Sequence, residues 1–420
     1  MKVLTVIGTR PEAIKMAPVV HELKRHGHRI DSKVCVTGQH REMLDPMLEL
    51  FGIDPSFDLD VMRPGQGMAD VTCAVLSGMT SILQRERPDW VLVQGDTTTV
   101  MATSMAAYWQ KINVGHVEAG LRTFDKYAPF PEEVNRRMAG VIADLHFAPT
   151  RWAALNLHRE GVPGENVKIT GNTVIDALQD VAGRTYDPSG TQLGALGLRD
   201  DERTVLVTAH RQENFGDGMH RICAAVRELA ERHGDVRFVY PVHFNPRARA
   251  AAFEHLADLP NVALIDPLDY EPLVWLLKRS HLVITDSGGL QEEAAGMSTP
   301  VLVLRETTER PEGVDAGIAR LVGTNHAEIV DVADRLLQDD RAHALMADVP
   351  CPYGDGRAAR RIVATLMDHA GMETHAGHTE QPWPQHPLDE LLTHATPALD
   401  PRHAERLPRF GRRRTDRQEV

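Results

Sequence analysis

The stretch VLTVIGTRPEAIKMAPVVHELKRH, residues 3–26, decides the fold. Its first five residues form a short apolar run rich in β-branched side chains, which predicts a strand buried on both faces. Residues 11–26 then carry apolar side chains at helical spacing, and Pro11 has the fixed φ that suits a first helical turn. The same strand-then-helix unit recurs. Strands are expected at 33–37, 90–94, 113–117 and 145–148, with helices at 39–50, 68–86 and 99–108 between them. A second run follows, with strands at 204–208, 237–241, 262–265, 282–285 and 301–304 and helices at 219–233, 271–279, 290–295 and 327–337. Such alternation builds a parallel sheet covered on both faces. Two separate runs predict an α/β protein of two doubly wound domains, 1–172 and 173–370. The polar, Gly-rich stretch 183–201 reads as a surface loop, and a last helical pattern at 356–368 offers a route back to the first domain.

Composition narrows the function. Of 420 residues, 42% are hydrophobic and 25% charged, which excludes a mostly disordered chain. The net charge of -13 argues against nucleic acid or an anionic membrane as partner, so any phosphate must be held by a local site. The four cysteines form no CxxC pair, so neither a disulfide framework nor a zinc cluster is signalled. No apolar run approaches the roughly 20 residues of a membrane helix. Residues 1–8 are too short for a signal-peptide core. These readings point to a soluble cytoplasmic enzyme. The tail 371–420 differs in kind: six prolines, five histidines and a basic cluster at Arg412–Arg414 accompany weak periodicity. It reads as disordered or loosely packed, with His375, His378 and His386 solvated rather than metal-bound.

In an open α/β sheet, ligands bind beyond the carboxyl ends of the strands. Gly8-Thr9-Arg10-Pro11-Glu12 follows the first strand, Gly95-Asp96 the 90–94 strand, and Glu118 the 113–117 strand. In the second half, His210-Arg211, His243, Asp286-Ser287-Gly288-Gly289 and Arg305 to Arg310 occupy the same edge. A cleft between the two domains would gather them. The turn at Ser287-Gly288-Gly289 opens a helix, whose N-terminus favours an anion, and Arg10, Lys15 and Arg310 suit a diphosphate. The same turn also fits a plain helix cap, with Asp286 or Ser287 as N-cap, and Asp96 fits a cap for the helix behind it. Glu132 and Arg136, spaced i, i+4, fit a surface ion pair as well as a site. His210 alone is equally a hydrogen-bonded strand-end histidine. No GxGxxG follows the first strand and no GxxxxGK[ST] occurs, so dinucleotide and P-loop binding lack their signals.

These segments resemble the non-hydrolysing UDP-N-acetylglucosamine 2-epimerases. The likeness lies in Gly8 to Lys15, Gly95-Asp96-Thr97-Thr98-Thr99, His116 to Thr123, Pro131-Glu132-Glu133 with Asn135-Arg136, and Thr170 to Asp176. It continues in His210-Arg211 with Glu213-Asn214, Thr285 to Glu293, Thr307 to Glu312 and Tyr353-Gly354-Asp355-Gly356. The ordered set spans residues 1 to about 370, and the tail has no counterpart. The resemblance implies two Rossmann-like domains with an interdomain cleft of the GT-B type, a homodimer, and neither a cofactor nor an essential metal. It implies interconversion of UDP-GlcNAc and UDP-ManNAc by elimination of UDP to a 2-acetamidoglucal and re-addition, supplying ManNAc units for cell-surface polysaccharide.

Position by position, Asp96, Glu118, Glu132 and His210 match that family's catalytic set, with Arg136 in support. Arg10, Lys15, His243, Ser287, Gly288, Gly289, Glu293 and Arg310 match its UDP-binding positions. Gln39 and His40 match part of an activating second site for UDP-GlcNAc. Leu273 stands where the family often has an aromatic near the uracil. The alternatives are a 2-epimerase for a related UDP-sugar, such as a 2,3-diacetamido-uronic acid, a GT-B glycosyltransferase, or a silent nucleotide-sugar sensor. The filled carboxylate positions weigh against the last two, because neither needs a C2 proton removed.

Overall fold

Seven parallel strands make the first sheet: β1 (Lys2–Ile7), β2 (Asp31–Val36), β3 (Phe57–Asp58), β4 (Trp90–Gln94), β5 (Asn113–Val117), β6 (Leu145–Ala148) and β7 (Val167–Ile169). Their order is β3-β2-β1-β4-β5-β6-β7. Six more make the second: β8 (Thr204–Thr208), β9 (Arg237–Pro241), β10 (Val262–Ile265), β11 (Ser280–Thr285), β12 (Val301–Val303) and β13 (Ala319–Leu321), in the order β10-β9-β8-β11-β12-β13. The computed structural model describes residues 1–39 and 41–372; His40 and the expected loose tail from residue 373 lie outside the described residues. The architecture is the α/β, doubly wound one that the strand–helix alternation predicts.

Each central strand is apolar because helices cover both faces. All five residues of β4 are buried, as are five of the six in β1. The order reverses between β1 and β4 in one sheet and between β8 and β11 in the other. At such a switch point the neighbouring helices leave on opposite faces, so a crevice opens beyond the strand ends. The loops after β1, β4, β8 and β11 therefore meet at two crevices before any side chain is considered.

The first helix, Arg10–Arg25, is fixed at its start by a capping box of Thr9 and Glu12, with Pro11 in the first turn. The chain passes between the sheets at Gly171, whose φ of 86° a side chain would strain. The next residue, Asn172, donates its backbone N–H to the Tyr353 carbonyl at 2.7 Å. The helix Ala358–His369 packs against the helices Arg10–Arg25 and Thr173–Ala182. Its first N–H groups, Ala358 and Ala359, donate to the Asp176 carboxylate at 3.1 and 2.9 Å. Arg361 forks onto Asp355 at 2.8 and 2.7 Å and donates to the Thr170 carbonyl.

Three strands escaped the sequence reading. β3, β7 and β13 hold only two or three residues and lie at sheet edges, too short to show a period. The 183–201 stretch is not wholly a surface loop: it contains a helix at Gln192–Ala195 whose Leu193 is buried in the core.

Gly120 follows β5 at φ 93°, and a Cβ there would lie 2.2 Å from the Ala153 carbonyl oxygen. Gly120→Ala should lose about 2–3 kcal/mol of stability, while Gly234→Ala, with open space around it, should stay within about 0.5 kcal/mol. Urea midpoints of the two variants check this.

Candidate active site

At the switch point of the first sheet the loop after β1 folds back on Glu12. Its carboxylate accepts from the N–H groups of Gly8 and Thr9, the latter at 3.0 Å, and from the Thr97 hydroxyl. Burial pushes the Glu12 carboxyl up to about 7 against those donors. After β4, Asp96 pairs with buried Arg136 and its carbonyl accepts from Asn135 Nδ2 at 3.1 Å. His116 lies behind that loop, Nε2 to the Gly95 carbonyl at 2.7 Å, and burial holds its imidazole neutral, down to about 3. About a quarter of the Asp96 side chain is open, 26%, and its carboxyl is raised by burial and by Glu118 and Glu132 while Arg136 opposes.

Glu118 directly follows β5 with φ 61°, a left-handed conformation uncommon for a side-chain-bearing residue. Its carboxylate accepts from Lys15, Gln94 and Asn172, the last at 3.0 Å. Burial alone would raise Glu118; the Lys15 ammonium and the remaining donors outweigh it and hold the group ionised. Lys15 is likewise held charged by Glu118 and Glu292, despite burial.

The two halves meet here. Lys15 Nζ lies 3.6 Å from Glu292 Oε2, and Arg310 Nε donates to Glu292 Oε1 at 2.7 Å. Arg310 Nη1 donates to Glu309 at 2.7 Å, and this pairing with Arg310 and Arg305 pulls the Glu309 carboxyl down to about 2 although burial opposes it. The guanidinium lies over Gly288, where a Cβ would come within 2.6 Å of it. Gly288 opens the helix Gly288–Gly296, capped by the Ser287 hydroxyl, so a cation and a helix N-terminus point at one place.

Directly after β11, Asp286 is fully buried and gathers N–H groups from the segment that follows β8: His210 at 2.9 Å, Arg211 at 2.8 Å and Asn214 Nδ2 at 3.0 Å. His210 Nδ1 lies 3.5 Å from Asp286 Oδ1, and the His210 ring stacks on exposed His243 with centroids 5.6 Å apart. Partial burial lowers the His210 imidazole below its ordinary value against the pull of Asp286.

The structure thus joins Lys15, Glu118 and Arg310 through Glu292, pairs Asp96 with Arg136, and joins His210 to His243. Ser287 is the helix cap that the turn allowed, but Thr97, not Asp96, caps the helix Thr98–Trp109. Glu132 and Arg136 do not pair with each other. Arg136 is buried and turns to Asp96 and Glu133, because Glu133 is itself held inside by the N–H groups of Thr123 and Phe124. Glu132 and Arg10 are half-buried, and Glu293 is buried. Gln39 accepts from the Thr99 hydroxyl at 3.2 Å, its neighbour His40 lying outside the described residues. Leu273 is partly buried against the core.

Sequence reasoning passed over Glu12, Gln94, Asn172, Glu292 and Glu309 as site residues. Only Glu12 carried a local signal, the capping box; Gln94, Asn172 and Glu292 are set apart by burial, and Glu309 by its pairing with Arg310.

Fold and site together define an α/β enzyme of the GT-B type, with ionised and neutral acid–base groups at the meeting of two parallel sheets. The UDP-N-acetylglucosamine 2-epimerase family profile matches residues 21–367. The UDP-N-acetylglucosamine 2-epimerase of Yersinia pestis is 51% identical over 373 residues, covering 88% of this chain and 99% of that protein. The crystal structure of UDP-GlcNAc 2-epimerase from Neisseria meningitidis bound to UDP-GlcNAc aligns at TM-score 0.80 and 46% identity, over 88% of this chain and all of that one. The S. aureus MnaA–UDP co-structure aligns at TM-score 0.80 and 44% identity, over 89% and 98%. The chain belongs to the UDP-N-acetylglucosamine 2-epimerase family.

Burial beside Glu292 pushes Glu293 up to about 7 from its ordinary 4.5, with Lys15 and Arg10 opposing. A carboxyl raised on folding contributes stability in full below its unfolded value and loses it as pH rises through the folded one. Glu293→Gln escapes that loss. Its stability relative to the parent chain should therefore improve by on the order of 1–3 kcal/mol between about pH 5 and pH 8, read from urea midpoints at each pH.

Proposed function

We propose that this chain interconverts UDP-N-acetylglucosamine and UDP-N-acetylmannosamine by eliminating UDP and adding it back across a 2-acetamidoglucal. The observation that carries this is the buried row Glu118–Lys15–Glu292–Arg310 with Asp96 and Arg136 beside it, in a member of this family. The C2 proton is only weakly acidic, so it must leave to a positioned group as the anomeric C–O bond breaks. The electron pair of the C–H bond becomes the C1–C2 double bond, and the C–O pair leaves with UDP. Re-addition reverses this with the proton delivered to the opposite face.

Epimerisation therefore needs two groups, one on each face of C2. Microscopic reversibility makes each a base in one direction and an acid in the other. Asp96, Glu118, Glu132 and His210 form the set from which they come, with Arg136 holding Asp96. The environments of Asp96 and Glu118 push their proton affinities in opposite directions, the pattern expected where one group keeps a proton and its neighbour gives it up. Arg10, Lys15, His243, Ser287, Gly288, Gly289, Glu293 and Arg310 hold the nucleotide, with cations and the helix N-terminus carrying charge that develops on the departing diphosphate. Gln39 belongs to the activating site.

The working division is a lobe of residues 1–172 facing a lobe of residues 173–370, whose closure excludes water from the glycal. A homodimer fits Tyr108, Trp109, Met138 and Val141, which are exposed on the packed helices Thr98–Trp109 and Glu132–Ile142. A cytoplasmic setting suits the four free cysteines.

Proton NMR of UDP-GlcNAc with the protein in D2O should show UDP-ManNAc carrying deuterium at C2, without stoichiometric free UDP. Turnover that retains the original hydrogen would refute the mechanism. Asp96→Asn or Glu132→Gln should lower kcat by about 10²–10⁴-fold in a chain that still folds cooperatively; the unfolding midpoint should hold in Glu132→Gln and fall in Asp96→Asn, which leaves buried Arg136 without its nearest carboxylate. Wild-type turnover in either variant would remove that residue from the set.

A further inference from the structure

Away from the strand ends, the helices Asp217–Arg232 and Pro246–Leu256 pack side by side on the second sheet. Where they cross, three donor side chains converge: His220 from the first helix, and Glu254 and His255 from the second. His220 Nδ1 lies 3.0 Å from His255 Nε2, and His220 Nδ1 lies 3.9 Å from Glu254 Oε2. All three ligand atoms lie within 4.8 Å of one another. Among the described residues this is the one such group of histidine, cysteine and carboxylate side chains.

We propose that His220, Glu254 and His255 bind a divalent transition-metal ion of the zinc class, a surface site separate from the acid–base set. Two nitrogens on one tetrahedral zinc, each about 2.05 Å from the metal, stand about 3.3 Å apart, so the observed 3.0 Å needs only a few tenths of an ångström of adjustment. The donor set selects the metal. Two imidazoles and one carboxylate suit zinc, cobalt, nickel or copper, whereas magnesium and calcium take oxygen ligands. Three protein ligands leave a fourth position for water.

Water reaches His220 and Glu254, so the group does not need an ion to satisfy its polar atoms; the Glu254 carboxylate stands 3.9 Å from His220 Nδ1, close enough for one ion to draw all three donors together. The frame is already rigid: Arg227 donates to the His255 carbonyl at 2.7 Å and forks onto Asp258 at 2.8 and 2.9 Å, tying the end of one helix to the middle of the other. The donors are therefore presented by fixed backbone, which reduces the entropy lost on binding. A bound ion would link the two helices and stabilise the folded state by mass action.

The test uses the full chain, stripped with a chelator and dialysed against buffered zinc, beside His220→Ala/His255→Ala and Glu254→Gln. Because the five tail histidines are present in every sample, they contribute equally. The parent chain should bind one more ion per chain than the double variant, and zinc should raise its unfolding temperature by more. Glu254→Gln should keep the ion but bind it about tenfold or more weakly. Equal stoichiometry and an equal zinc-induced shift in the parent and the double variant would overturn the proposal.

Discussion

The row of buried charges Lys15, Glu118, Glu292 and Arg310 is the constraint on which the rest of the structure depends. Its members come from the first helix, the end of β5, the helix after β11 and the loop after β12. Taking such groups out of water costs several kcal/mol each before their mutual attraction repays it, and an apolar replacement of the same shape is often as stable. Stability alone thus gives little reason to keep them. They make sense as fixed charge for a ligand, and they explain much of the surrounding order. Gln94 and Asn172 are spent on satisfying Glu118, Gly288 leaves room for the Arg310 guanidinium, and Glu309 neutralises its far side.

Topology puts these charges together. Loops after β1 and β4 flank the reversal in one sheet, and loops after β8 and β11 flank it in the other. Three carboxylates order these four loops: Glu12 takes N–H groups of the loop after β1, Asp96 after β4 pairs with a cation, and Asp286 after β11 accepts from N–H groups of the loop after β8. Glu12 and Asp286 shape loops; Asp96 stays partly open. One device, a strand-end carboxylate, is put to structural use where it is capped and stays accessible where it is not.

That division explains what could be read in advance. β4, β5, β6, β8 and β9 were legible to the residue, because strands inside a covered sheet must be apolar and turn polar abruptly at their ends; β10, at an edge and only half-buried, was legible from its run of four apolar residues alone. The edge strands β3 and β13 bury too little to impose a pattern. Strand ends also exposed Asp96, Glu118, His210 and Asp286 as candidates, since a polar residue directly after an apolar run has few other places to go. Pairing was not legible. Helical spacing put Arg136 on the face of Glu132, whereas Arg136 reaches Asp96, forty residues away in sequence, across the space between two strand-end loops. Glu292 and Glu293 are neighbours in one short helix, and only tertiary contact makes the first an ion-pair partner of Arg310 and leaves the second raised to about 7.

The charge balance of the row bears on how such an enzyme handles its leaving group. An elimination that must run backwards requires UDP to be stabilised but not captured. Were Lys15 and Arg310 unpaired, a diphosphate arriving in a buried site would be bound too tightly in the ground state, and binding energy common to ground and transition states gives no rate. Carboxylates already in place set a level against which the phosphate oxygens compete. The helix start at Ser287-Gly288 adds directed N–H groups without a full charge. On the proposed mechanism, the two together would favour the extra charge that appears on UDP as the anomeric bond breaks more than the charge it carried beforehand, which is the differential that catalysis needs.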